Sequence, residues 1–70
     1  MADENCEKLK VLIKHWMHHN EEHAAEFKEW AEKATAAGAG NAAGNINRAA
    51  EAMANSVAFL AKALESLKEG

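Results

Sequence analysis

The chain has no proline and a single cysteine, and both scarcities are informative. Without proline almost nothing forbids helix, and abundant alanine favours it. One cysteine excludes an intramolecular disulfide. A lone thiol also suits a reducing compartment better than an oxidising one, so the expected location is the cytoplasm. No block of basic residues is present, and the formal net charge is −3, which argues against nucleic acid as a main partner. No run approaches the ~20 apolar residues that span a bilayer, so no membrane association is expected. The first five residues are acidic rather than basic-then-apolar, unlike a secretory leader. Strand-like alternation of β-branched residues is missing too.

What is present is helical periodicity. At 70 residues the chain allows one domain. Cys6, Leu9, Ile13, Trp16, Asn20, His23, Phe27, Trp30 and Ala34 alternate at spacings of three and four, and form one stripe on a helix over about residues 4–36. Leu12, His19 and Ala31 flank it. Asp3 is the expected N-cap, with Glu4 and Glu7 favouring the dipole of the first turn. Gly38 is a natural stop, and the small residues over about 37–45 read as a turn. Asn45 or Asn47 is placed to cap a second helix over about 46–68. Its stripe is Ile46, Ala50, Met53, Val57, Leu60, Leu64 and Leu67.

These features predict an all-α antiparallel hairpin forming one domain over 1–70. Facing the stripes sets Ala34 near Ile46, Phe27 near Met53 and Trp16 near Leu64. Cys6 and Leu9 then lack a local partner, and Leu12, Met17 and Phe59 stay partly uncovered. A chain this short usually needs a metal or a second chain for stability. A dimeric four-helix bundle is the simplest closed solution, with a trimer as the alternative.

The chemistry lies in the histidines. All four, His15, His18, His19 and His23, fall within nine residues. His15, His19 and His23 are successive i, i+4 neighbours along one helix face. Glu22 and Glu26 lie on an adjoining line. Such a pair of imidazoles can supply two metal ligands on a rigid backbone. His19 and His23 are therefore the first-choice ligands, His15, Glu22 and Glu26 the secondary ones, and Asn20 an orienting neighbour. Zinc or nickel suits imidazole and carboxylate donors. Helix 2 offers no histidine or carboxylate at this level, so a second subunit would complete the shell. His18 points elsewhere and reads as a surface residue.

A metal-free reading stands beside this one. A buried Asn or His at a bundle seam can fix register or oligomeric state. The chain would then be an interaction module, for itself or for another protein. Clustered imidazoles also titrate near neutrality, which allows pH-dependent assembly.

Other patterns carry less. His19-Asn20-Glu21-Glu22-His23 satisfies H-x-x-E-H, but the chain has no room for the third ligand and chamber of a protease. The Glu-x-x-His of di-iron bundles is not met. The small-residue turn lacks the Lys-Ser/Thr of a phosphate loop. Cys6 reads as a small buried apolar group, and Trp16, Phe27 and Trp30 as core aromatics. No nucleophile or acid–base constellation points to an enzyme.

The string H-W-M-H-H-N-E-E-H over residues 15–23, followed by Phe27 and Trp30-Ala31, resembles an uncharacterised family of short helical-hairpin domains. That family carries H-W-x-x-H-N-x-x-H ahead of an aromatic-rich helix end. His15, Trp16, His19, Asn20 and His23 match every fixed position. Such domains occur alone or beside metal-handling modules, nickel-related ones among them. The resemblance rests mainly on the first helix. It implies a metal role without naming the ion or the task.

Overall fold

A computed structural model describes residues 4–69, so the expected cap Asp3 lies outside the described residues. Helix α1 spans Glu4–Ala36 and helix α2 spans Gly40–Glu69. They pack antiparallel as a hairpin about 56 Å long. Glu4 and Glu7 sit in the first turn of α1, Lys33 in its last and Lys68 in the last turn of α2, each matching the helix dipole. No helix among the described residues is long and apolar enough to cross a membrane.

The reversal takes only residues 37–39, not the longer turn that the small residues imply. Gly38 adopts φ +83°, the left-handed conformation that ends a helix. Its amide donates to the Thr35 carbonyl at 3.0 Å, and the Ala39 amide donates to the Ala34 carbonyl at 2.8 Å. These two bonds satisfy two of the orphan carbonyls at the end of α1. The Ala43 amide donates to the Ala39 carbonyl at 2.9 Å, which already opens α2. Asn45 and Asn47 are therefore exposed residues inside α2, not its caps. Gly40 and Gly44 are helical despite their low propensity. Packing explains this: Ala31, Ala43 and Ala50 are all buried, and small contact residues let two helix axes approach closely beside a tight turn.

The early start of α2 moves the register by one helical turn. Asn20 Nδ2 donates to Ser56 Oγ at 3.0 Å across the hairpin. Counting equal steps from that pair sets Trp16 level with Leu60, not Leu64. Phe27 comes level with Ala49 and Ala50, not Met53, and Ala34 lies near Ala42 and Ala43, not Ile46. The same count brings Leu67 down to the level of Leu9. The first turns of α1 thus have α2 beside them, and Cys6 is half-buried.

The seam of α2 is built from Ala43, Ile46, Ala50, Met53, Val57, Leu60, Leu64 and Leu67, all buried or half-buried. The seam of α1 departs from the expected stripe. The column Cys6, Ile13, Asn20, Phe27 and Ala34 does face α2. Its companion column is Lys10, Met17, Ala24 and Ala31, not Leu9, Trp16, His23 and Trp30. Both choices alternate three and four, so periodicity alone does not separate them. Size does: Ala24 and Ala31 permit the close approach, whereas indoles there would force the helices apart. Trp16 and Trp30 consequently stay 41% and 56% exposed, so neither is a core residue of the hairpin.

Candidate functional site

The rotation of α1 decides where the histidines stand. Residues 9, 12, 16, 19, 23 and 30 follow one another at helical spacings and leave the seam on one side. The imidazoles of His19 and His23 therefore lie on a flank between exposed Trp16 and exposed Trp30, not inside the hairpin. His19 is exposed and His23 half-buried.

His23 Nε2 lies 2.9 Å from His19 Nε2, with the rings edge to face and centroids 4.4 Å apart. On its other side, His23 Nδ1 lies 3.3 Å from Glu26 Oε1. A carboxylate only accepts, so His23 Nδ1–H donates to Glu26, and in a neutral His23 the Nε2 presents a lone pair. His19 Nε2–H then donates to that lone pair. Phe27 stacks on His23 at 5.9 Å between centroids and restrains the ring. Two metal–nitrogen bonds of about 2.0–2.1 Å at a right angle span about 2.9 Å, and at the tetrahedral angle about 3.3 Å. The 2.9 Å separation is a hydrogen-bond distance that also falls at the short end of that span.

The remaining residues divide. His15 stacks on His19 with centroids 6.2 Å apart and adds no third nitrogen to the close pair. Glu22 Oε1 is held 2.7 Å from His18 Nε2, on a highly exposed surface pair away from His19 and His23. Glu26 stands behind His23, as a carboxylate that orients a ligand does. Asn20 directs its amide nitrogen to Ser56, and Ser56 Oγ donates in turn to the Met53 carbonyl at 2.7 Å. Among the described residues no three His, Cys, Asp or Glu side chains converge on one point. The close pair thus consists of two nitrogens, one from His19 and one from His23.

Ser56 is the residue that sequence reasoning missed. It lies one place outside the apolar stripe of α2, and only the corrected register shows that it meets Asn20. Together with Trp16, Phe59 and Leu60, these two line an open groove of ≈ 520 Å³. Phe59 is 68% exposed at its rim.

Fold and site together define a small all-α hairpin with clustered imidazoles on an outer flank. A model of the family described as Domain of unknown function (DUF8180) matches residues 9–67, and the chain belongs to that family. The match covers both helices. No curated protein and no solved structure matches the chain.

Proposed function

We propose that this protein is a small metal-binding hairpin, with His19 and His23 supplying the first two ligands from their Nε2 atoms. The observation that carries the reading is the 2.9 Å Nε2–Nε2 separation, with Glu26 fixing the tautomer of His23. Zinc or nickel fits these donors. His15 is a reserve ligand, Glu26 an orienting group, and Asn20 and Ser56 a polar link that braces the helix beneath the pair. The role is storage, delivery or sensing in a reducing compartment such as the cytoplasm, since the donors form no catalytic constellation. The motif resemblance to domains found beside metal-handling modules supports the same reading.

A second reading has its own support. The Asn20–Ser56 hydrogen bond and the uncovered aromatics beside it suit a metal-free module that assembles with itself or another protein, its polar layer setting register. Metal content after reconstitution separates the two. The first reading expects stoichiometric zinc or nickel, lost in His19→Ala/His23→Ala. The second expects none, and a change only in assembly or stability.

A further inference from the structure

The hairpin exposes 5251 Å² for a mass of 7.6 kDa. A compact monomer of that mass exposes about 4,300 Å². The surplus is close to the ~800 Å² that each partner contributes to a standard interface. Among the described residues six large apolar side chains are exposed; Leu9, Leu12, Trp16 and Trp30 lie along the flank of α1 that carries the histidines, and Val11 and Phe59 are the other two. Lys33 Nζ lies 4.3 Å from the Trp30 ring centroid, so an alkyl stem extends this surface.

We infer that a second copy of this chain covers that flank, with its α1 antiparallel to the first and crossing at the histidine pair. The site of the proposed metal function is incomplete in one hairpin, and in this respect the inference rests on that reading. The flank runs through residues 9, 12, 16, 19, 23, 26, 30 and 33, whose spacings are symmetric about residue 21. A two-fold axis there sets Leu12 against Trp30 of the second copy, Leu9 against the stem of its Lys33 and Trp16 against its Glu26. It also sets His19 against His23 of the second copy, so four imidazoles meet at the axis. A parallel arrangement would oppose Glu26 to Glu26 and Lys33 to Lys33, which like-charge repulsion disfavours. Packing α1 on α2 of the second copy would bring no imidazole to the pair, because α2 carries none.

The full chain is titrated with zinc chloride and, separately, nickel chloride, and followed by native mass spectrometry and sedimentation velocity. A dimer binding one ion per two chains is expected. Leu12→Glu/Trp30→Glu alters only exposed residues, so helicity by circular dichroism stays unchanged while the dimer dissociates. Apparent metal affinity then falls about 10²-fold as the two half-sites separate. Cross-linking reads the orientation: on a Cys6→Ser background, Leu12→Cys with Trp30→Cys forms oxidised dimers, and Leu12→Cys alone does not. A dimer that survives the glutamates, or cross-linking by Leu12→Cys alone, overturns the inference. So does a monomer that binds one ion per chain, although the metal reading would then stand. A dimer broken by the glutamates that takes up neither ion leaves the docking in place and removes the metal reading.

Discussion

Asn20 reaches across the hairpin and donates its amide to Ser56 Oγ at 3.0 Å, a polar tie inside a mostly apolar seam. Ser56 passes the bond on to the Met53 carbonyl, so its hydroxyl is satisfied on both sides. A double-mutant cycle of Asn20→Ala and Ser56→Ala in urea denaturation should return a coupling of about 0.5–1.5 kcal/mol. Additive costs would mean that the tie contributes nothing to stability.

The turn makes a prediction of opposite signs. Gly38→Ala forces a Cβ into left-handed backbone, although no atom stands within 4 Å of it, and should destabilise by about 1–2 kcal/mol. Gly40→Ala and Gly44→Ala also meet open space, but in helical backbone, and should each stabilise by about 0.4–1 kcal/mol. Thermal melts of the three variants suffice as a check. Loss of stability in all three would place the start of α2 elsewhere.

Ala50 is wholly buried, at 0% exposure, where the helices approach closely. Ala50→Leu should cost about 1–3 kcal/mol by overpacking, read as a lower urea midpoint. An unchanged midpoint would show a gap in the seam where close contact is described.

The two carboxylates near the histidines should behave differently. Glu26→Gln removes the acceptor behind His23 Nδ1 and should lower metal affinity about 10–100-fold by titration calorimetry. Glu22→Gln should leave affinity unchanged, since Glu22 pairs with His18. The reverse pattern would make Glu22 the working carboxylate.

The helical hairpin is legible in the sequence because proline is absent and both stripes keep a strict rhythm. Two other features were not. The small-residue stretch reads as loop by glycine content, yet Ala43 and Ala50 pack so closely on α1 that helix wins there. The face of α1 was ambiguous because columns 9-16-23-30 and 10-17-24-31 both complete a heptad with Ile13 and Asn20. Hydrophobicity favours the column with the indoles, and closeness of approach favours the one with the alanines. Ser56 stayed hidden for the same reason, since its meeting with Asn20 depends on a register set by three turn residues. The histidines were legible as a cluster, but their pairing through Nε2 and the separate attachments of Glu22 and Glu26 needed side-chain positions.

The imidazoles stand outside the seam that joins α1 to α2. A ligand can therefore arrive at His19 and His23 and leave again while Ile13, Ala31, Ala43 and Ala50 keep their packing. Under the metal reading, occupancy and folding would be uncoupled, unlike in small domains that collapse only around their ion. If the proposed metal site and dimer hold, a chelator would strip this protein without melting it, and the exchange rate would follow the meeting and parting of surfaces rather than the opening of a core.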